Sequence, residues 1–311
     1  MIRYILKRLV LMIPTILLTS LLIFWAMSLT GGDPVMSMLP ENATFEQQEA
    51  LREELGLNDP FFVQYFRYIG GMVTGDMGTS YVTKLDVFQT FMGRLPMTLT
   101  LGGTALIISV IISIPLGIWT ALNQNTWKDT LGTVFALFGV SMPNFWLGLM
   151  LILYFSINLG ILPATYQVGN NLTLIMPAIV LGTGMSASVA RMTRSSMLEV
   201  KNSDYILTAR AKGLPENKVV LKHILGNAMI PIVTTIGAQF GGMLGGSSVT
   251  EKVFNINGIG SYIVEKQYIP DIPVVLAGVV YISFIISIMN LVIDILYAVI
   301  DPRIKSRMKN Y

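Results

Sequence analysis

The fold of this chain is decided around Asp204-Tyr-Ile-Leu-Thr-Ala-Arg-Ala-Lys-Gly213, which lies in a basic hydrophilic segment, Arg191 to Lys222, between two long apolar stretches. Charged residues make up only 13% of the 311 residues, hydrophobic residues make up 53%, and the mean hydropathy is +0.63. This composition is typical of a polytopic membrane protein. The hydrophilic segment is therefore a loop at which such a protein can receive force from an aqueous compartment.

The charges divide the chain into apolar runs. No Asp, Glu, Lys or Arg occurs in residues 9–32, 95–127, 130–190, 224–250 or 272–293. A helix needs roughly 20 apolar residues to cross the hydrocarbon core, so the longest run must hold two spans and each of the others one. Gly, Pro and Asn in residues 158–171 mark the turn between those two spans. The sequence predicts an all-α protein with six spans, at about 9–29, 96–122, 131–157, 172–190, 225–249 and 272–299.

The distribution of Lys and Arg predicts the orientation, because these residues are retained on the cytoplasmic side. Residues 1–8 are basic, and the loop 191–222 carries seven Lys and Arg, whereas residues 31–93 hold nine acids against three bases. Both termini are therefore expected inside, and alternation alone assigns the loop 123–129 to the same side. The predicted organisation is a first span (1–30), an extracytoplasmic helical segment (31–93), a five-span core (94–302) and a basic tail (303–311).

The extracytoplasmic segment predicts two short helices rather than a domain with its own core. Thr44 and Gln47 have the spacing of a capping box, and Gly56 is a suitable end for the helix that follows. Asn58-Asp-Pro60 precedes a second helix with an aromatic face. We expect that helix to pack on the spans, and the segment to act as a lid or docking surface.

Several chemistries are missing from the sequence. The chain contains no Gly-Lys pair, so it cannot form a P-loop around ATP phosphates. It has no Cys and one His, His223, which excludes a metal site of the usual His and Cys kind. No nucleic-acid partner is predicted. Asp294 is the one acid inside a predicted span, and it is interpreted either as a structural ion-pair partner or as a proton relay.

Polar and small residues within the spans suggest two further roles. Two G-x-x-x-G spacings overlap in the fifth span, one formed by Gly241 and Gly245 and the other by Gly242 and Gly246. Such spacings allow another helix to approach closely. Pro143 frees a backbone carbonyl beside polar side chains. These polar groups are interpreted either as helix-to-helix hydrogen bonds or as part of a translocation path, for which the candidates are Ser141, Asn144, Gln239 and Asn290.

Residues 203–215 predict a short, autonomous helix. Ser203 or Asp204 can cap it, two helical turns follow, and Gly213 and Pro215 can end it and begin the next helix. Tyr205 and Ile206 are expected to be apolar anchors for a partner, Ala209 and Ala211 to allow close approach, and Arg210 and Lys212 to meet acidic groups on it. The alternative is a basic inner loop that merely obeys the positive-inside rule.

The residues of this loop resemble the EAA loop of ABC-importer permeases. Over essentially its full length the chain resembles the dipeptide and oligopeptide permease family. Leu207 stands where the EAA motif begins with Glu. The proline that closes the motif, Pro231, lies later in the chain than in the general EAA pattern, as it does in the peptide branch of the family. The outer segment Gln267–Pro273 differs from the Arg-Asp-Tyr-Pro sequence that is usual there. The landmarks are Gly32-Asp-Pro34, Gly75-Asp-Met-Gly-Thr-Ser80, Leu95-Pro-Met-Thr-Leu-Thr-Leu-Gly102, Ser141-Met-Pro-Asn-Phe145, Tyr205-Ile-Leu-Thr-Ala-Arg-Ala-Lys-Gly-Leu214, Asn227-Ala-Met-Ile-Pro231 and Leu296-Tyr-Ala-Val-Ile-Asp-Pro-Arg303.

The resemblance implies the type I importer fold and half of a channel through the bacterial or archaeal inner membrane. It also implies a second homologous permease, two P-loop ATPase subunits that carry ATP and Mg²⁺, and an extracytoplasmic binding protein, with no cofactor on this chain. Contact with the ATPases is expected at Tyr205, Thr208, Ala209, Arg210, Ala211, Lys212 and Gly213. Peptides are the expected substrates, with nickel, opines or glutathione as alternatives. An ion-coupled carrier and an intramembrane enzyme remain rival classes.

Overall fold

Fourteen helices make up the part of the chain that the computed structural model describes, residues 2–29, 33–40, 42–267 and 271–300. Those ranges contain no strand, only a single bridge between Thr79 and Asp86. The helices are α1 (Ile2–Leu29), α2 (Pro34–Met38), α3 (Phe45–Leu55), α4 (Phe61–Thr74), α5 (Val87–Leu122), α6 (Trp127–Ser141), α7 (Asn144–Leu151), α8 (Ile175–Lys201), α9 (Asp204–Ala211), α10 (Glu216–Lys218), α11 (Gly226–Gly246), α12 (Ser248–Val253), α13 (Ile259–Gln267) and α14 (Ile272–Ile300). Short helical extensions cover Ile152–Asn158, Asn171–Leu174 and Val219–Leu225.

The six predicted spans correspond to five long apolar helices and one bent pair. The long ones are Ile5–Leu29, Val87–Leu122, Asn171–Lys201, Glu216–Gly245 and Ile272–Ile293. Several extend beyond the uncharged runs, because helix ends can carry charges into the aqueous layers on either side of the hydrocarbon. The predicted turn at 158–171 separates the bent pair from the helix that follows it.

The third span is not the single helix that the sequence predicted. The helices Trp127–Ser141 and Asn144–Asn158 meet at an angle of 95°. Met142 has extended backbone dihedral angles (φ −82°, ψ 127°), as does Pro143 after it. A proline disfavours helical geometry in the preceding residue and offers no N–H to the helix, so the chain turns at this point.

Helices α5 and α8 form the centre of the fold. A Cβ added to Gly117 of α5 would lie 2.5 Å from Thr193 Cβ, and one added to Gly182 of α8 would lie 2.9 Å from Ala105 O. Both positions therefore require glycine for the two backbones to come this close. The largest buried cluster extends from this contact to α11, and includes Leu101, Val180 and Phe240.

The extracytoplasmic segment docks on the spans, as predicted. Thr44 and Gln47 form the capping box, and Gly56 ends α3 in the left-handed conformation. Tyr65 of α4 is buried against Phe24 and Leu276, and its hydroxyl donates to Leu17 O at 2.8 Å. The segment is thereby attached to both α1 and α14. Nearby, burial raises the pKa of Tyr68 and of its hydrogen-bonding partner Tyr81.

Two polar contacts agree with the predicted sidedness. Asp271, fully buried before α14, accepts hydrogen bonds from Ser80 Oγ (2.6 Å) and from the amide of Tyr81 (3.0 Å), which brings two predicted outer segments together. Asp129 forms an ion pair with Arg194 at 2.6 Å, which brings the loop 123–129 to the side of the basic loop. The basic tail, the side chain of Asp294 and the landmarks that involve residues 30–32, 268–270 and 301–303 lie outside the described residues.

A buried carboxylate organises the outer ends of α5, α11 and α13. Glu251 is fully buried and accepts hydrogen bonds from Thr98 Oγ1 (3.0 Å), Ser247 Oγ (3.1 Å) and the amide of Ser261 (2.8 Å). Thr98 Oγ1 in turn accepts the amide of Ile259 at 2.9 Å. All three groups around the carboxylate donate hydrogen bonds to it. Glu251 was not among the residues that the sequence marked as functional.

We predict that Glu251→Leu destabilises the protein markedly, because three buried donors lose their acceptor and each such loss costs about 1–3 kcal/mol. Thermal unfolding in detergent measures the change. The control is Glu46→Leu, since Glu46 is an exposed acid on α3 of the same outer segment. Equal unfolding temperatures for the two variants would show that the network does not stabilise the outer segment.

Candidate coupling loop and translocation groove

Helix α9 forms where the sequence predicted a short, autonomous helix. Only Asn202 and Ser203 separate it from α8, and Ser203 occupies the capping position with its carbonyl accepting the amide of Ile206 at 3.0 Å. At the other end, Gly213 adopts a left-handed conformation (φ +72°) and its amide donates to Arg210 O at 2.9 Å. Glycine adopts this conformation without steric cost, and it ends the helix after two turns.

One face of α9 is attached to the body of the protein. Ile206 is 0% exposed and Ala209 is 9% exposed. Ile206 lies in a buried cluster with Met197 of α8 and with Val219 and Ile224, which follow α10. Ile206 therefore fixes α9 to its own chain rather than anchoring a partner. Ala209 lies on the same face, and its close approach to a partner stays a prediction.

The opposite face of α9 is open to solvent. Tyr205 is 49% exposed and Leu207 is 58% exposed. Leu207, the residue that departs from the motif's glutamate, was not among the predicted contact residues. The other exposed positions of the predicted contact set are Thr208, Ala211, Lys212 and Gly213.

Arg210 is engaged within the loop itself. Its guanidinium donates to both carboxylate oxygens of Glu216, from Nη2 at 2.7 Å and from Nε at 3.2 Å. The hydrogen bond and the charge of Glu216 raise the pKa of Arg210 above its ordinary value. Within the chain, Arg210 joins the end of α9 to the start of α10, and its contact with acids on a partner stays a prediction. Lys212 is the basic residue of the motif that stays exposed.

Two of the four predicted path residues meet in one groove of about 300 Å³. Asn144 reaches it because the chain turns at Pro143, and Gln239 reaches it from α11. The other side chains around the groove are apolar or absent. The complete lining is Val140, Asn144, Leu181, Gly184, Met185, Gln239, Gly242 and Met243.

The other two predicted path residues lie elsewhere. Ser141 is exposed and donates to Leu137 O of its own helix at 2.9 Å. Asn290 borders a separate groove of about 200 Å³ between α1 and α14, beside Arg8 and Thr15. Residues far apart in sequence can share a path only if the helices that carry them are neighbours, which the sequence did not reveal.

Comparison with known proteins identifies the scaffold. Residues 113–306 match the family described as "Binding-protein-dependent transport system inner membrane component", and residues 1–102 match the N-terminal region described for the same systems. The chain belongs to this permease family. It is 43% identical over 305 residues to the "Glutathione transport system permease protein GsiC" of Salmonella paratyphi A and 41% identical to that of Escherichia coli K12, covering 98% of this chain and 99% of each relative.

Solved structures agree on the fold of the permease. It superposes on the inward-facing MetNI methionine ABC transporter with a TM-score of 0.59 at 17% identity, covering 68% of this chain and 97% of the other. An amino acid ABC transporter gives a TM-score of 0.50, also at 17% identity, over 67% and 92% of the two chains. The permease is therefore a subunit of an ABC importer, with the type I transmembrane fold and several passes through the bacterial inner membrane, and it belongs to the peptide, nickel and opine group.

The glycines of α11 divide between two faces of the permease. A Cβ on Gly241 would lie 3.7 Å from Ile286 of α14, and one on Gly245 would lie 4.0 Å from Ile282. Gly242 borders the groove, where an added Cβ meets no atom within 4 Å. The closest approach to α14 is at Gly237, which the sequence analysis missed, with a Cβ 2.2 Å from Ile293 Cδ1. Gly246 lies outside the residues whose surroundings the structure describes.

The single histidine of the sequence lies near the coupling loop. His223 is half-buried in the segment after α10, and its carbonyl accepts the side-chain amide of Asn227 at 2.6 Å. Among the described residues, no three His, Cys, Asp or Glu side chains come together as metal ligands would.

We predict that Gly213→Val disturbs the end of α9, because a branched residue in the left-handed conformation costs roughly 1–2 kcal/mol. Protease sensitivity of the loop in detergent measures the disturbance. The control is Gly160→Val, at another left-handed glycine (φ +65°) with open space around it in the outer loop. Unchanged cleavage of the coupling loop in Gly213→Val would contradict the role given to this glycine.

Proposed function

We propose that this permease forms half of the translocation path for short peptides and that α9 receives the force of ATP hydrolysis. Its partners in the proposal are a second homologous permease, two P-loop ATPase subunits and an extracytoplasmic binding protein. ATP and Mg²⁺ belong to the ATPases, since the chain has no Gly-Lys pair from which to build a P-loop. The chain itself is proposed to carry no cofactor and no catalytic residue.

The observation that carries the coupling proposal is the two-faced construction of α9. Its inner face is buried in the cluster that contains Ile206 and Met197, while Tyr205 and Leu207 project outward. An apolar outer face with a basic end suits a groove that has an acidic rim. Because the inner face is firmly packed, a push on the outer face moves the surrounding spans rather than bending the loop.

The proposed mechanism requires that the spans adopt two states, one open to the inside and one open to the outside. Closure of the ATPase dimer on ATP moves α9 and turns the spans from an inward-facing to an outward-facing arrangement, and hydrolysis resets them. The ATPases must bind these states with different affinities, because equal affinity would shift no population. Only the binding energy that differs between the two states contributes to transport.

A peptide substrate is consistent with the chemistry of the groove. The amides of Asn144 and Gln239 can donate to and accept from peptide groups, and Met185 and Met243 can adapt to varied side chains. Weak, neutral contacts allow a substrate to leave as well as to enter. The relatives named for glutathione transport make this tripeptide thiol the first substrate to test, with nickel and opines as competitors.

Two rival classes make different predictions. A secondary carrier would transport without ATPase partners, driven by an ion gradient, and would depend on Asp294. An intramembrane enzyme would form product as the isolated chain, although the site shows no nucleophile and base in hydrogen-bonding contact. Isolation of the tagged chain in mild detergent, followed by mass spectrometry and an ATPase assay, separates these classes from the importer.

We predict that Tyr205→Asp with Leu207→Asp releases the ATPase subunits, because two acids replace the exposed apolar contacts on α9. The measurement is the amount of P-loop ATPase that copurifies with the tagged permease. Val168→Asp serves as the control, since Val168 is exposed on the outer loop, away from α9. Full retention of the ATPases by the double variant would refute the docking role of this face.

We predict that Gly242→Leu blocks transport, because the new side chain fills part of a groove that is open at this position. Uptake of labelled glutathione and of labelled tripeptides into proteoliposomes is measured with the complete complex, with unlabelled nickel and opines as competitors. The control is Gly103→Leu, which also has open space around its Cβ but lies on α5 away from the groove. Uptake at the wild-type rate through Gly242→Leu would show that the path runs elsewhere.

A further inference from the structure

The contact between α6 and α8 is built from small residues. Ala136 of α6 is buried with Ala187 and Ala190 of α8. Further along, a Cβ added to Gly139 would lie 3.3 Å from Thr183 O of α8. Small side chains let the helices come close, but they form low ridges that interlock little along the helix axes. Packed helices can slide past each other over short distances by shear.

One ion pair holds α6 at its inner end. Arg194 of α8 donates to both oxygens of Asp129, from Nε at 2.7 Å and from Nη2 at 2.6 Å. Asp129 is 7% exposed and also accepts the amide of Asn125 at 3.1 Å. A bidentate pair fixes direction as well as distance. This contact, rather than the small residues, therefore sets the position of α6 along α8.

The two helices join the coupling loop to the groove. Arg194 lies two turns before the end of α8, and Met197 in the last turns of that helix shares a buried cluster with Ile206 of α9. At its outer end, α6 leads through the bend at Pro143 to Asn144. Asn144 also lies against α8, with its Oδ1 3.4 Å from the position of a Cβ on Gly184. A movement of α9 and α8 thus reaches Asn144 through α6, provided that α6 does not slip.

We propose that Asp129 and Arg194 are a positioning pair for energy coupling, which makes α6 follow α8 so that movement of α9 changes the groove at Asn144. The proposal rests on the proposed function and adds the connection between its two sites. Neither residue lines the groove. Their role is to transmit displacement, which is a different role from stabilising the fold.

The variants are expected to fold, because each residue that loses its partner keeps a favourable setting. Arg194 keeps 30% of its side chain exposed, and the buried Asp129 keeps the amide of Asn125 and the N-terminal turn of α6, which favours a negative charge. An arginine in such a place can be solvated again when its partner is neutralised. Asp129→Asn and Arg194→Gln thus remove the connection with little effect on the rest of the structure.

The experiment measures substrate molecules imported per ATP hydrolysed by the complete complex in proteoliposomes. In Asp129→Asn and in Arg194→Gln this ratio is expected to fall at least about fivefold, the lower end of ordinary coupling between sites, while ATP hydrolysis continues. The exchanged double variant, Asp129→Arg with Arg194→Asp, is expected to regain part of the ratio. Lys128→Gln is the control, because it removes a neighbouring exposed charge that is not in the pair.

A covalent link between α6 and α8 gives the second test. This chain has no native cysteine, so an introduced pair has no competing thiol within the chain. A Cβ on Gly139 lies 4.0 Å from Thr183 Cβ, within the range that a disulfide spans. Gly139→Cys with Thr183→Cys, added to Asp129→Asn and assayed with a tripeptide that has no thiol, is expected to restore the ratio when oxidised and to lose it again after reduction. Because the ratio is compared before and after reduction of the same sample, the result tests the positioning role even if the single variants assemble poorly.

The outcomes separate the two proposals. A wild-type complex that neither hydrolyses ATP nor imports any substrate of the panel would refute the proposed function, and the coupling role of the pair with it. A wild-type complex that couples normally, with an unchanged ratio in both single variants, would refute the positioning role alone. A ratio that falls but is indifferent to the disulfide would also refute it, since the pair would then act otherwise than by holding α6.

Discussion

Close contact between α5 and α8 is the constraint on which the rest of the permease depends. Gly117 and Gly182 bring the two backbones to a distance that no side chain would allow. Within a bilayer the hydrophobic effect does not drive helices together, so van der Waals contact at such positions has to. The groove, α6 and α11 are all arranged around α8, and α8 continues into the coupling loop. One helix thus serves both the substrate side and the ATPase side.

The buried charges are handled differently at the two membrane surfaces. At the outer side, Glu251 and Asp271 are held by hydroxyl and amide donors, which fix irregular segments onto helix ends. At the inner side, Asp129 is held by an arginine on a neighbouring helix. A carboxylate surrounded by neutral donors ties together a compact cap, whereas an ion pair between two helices connects elements that can move. The inner arrangement is the one that the proposed coupling requires, because there α6 has to follow α8.

Sequence patterns predicted the elements of the coupling loop well and its orientation poorly. The helix, its ends and Gly213 are where capping and turn preferences put them. Those preferences act over a few neighbouring residues, so the sequence contains them. Which face of α9 points inward depends on Met197 and Val219 on either side, and a two-turn helix has too few residues for periodicity to reveal it. Ile206 was therefore assigned to the wrong face, and Leu207 was overlooked.

The sequence by itself determined the membrane class, the six apolar runs, their sidedness and the family, because charge and hydropathy act on each segment separately. The tertiary structure alone decided the 95° bend, the meeting of Asn144 with Gln239 and the separate position of Asn290. It also decided the partners of Glu251, Asp129 and Arg210. These contacts join residues from different elements, so they depend on how the helices pack. Packing is a property of the whole chain that no local pattern specifies.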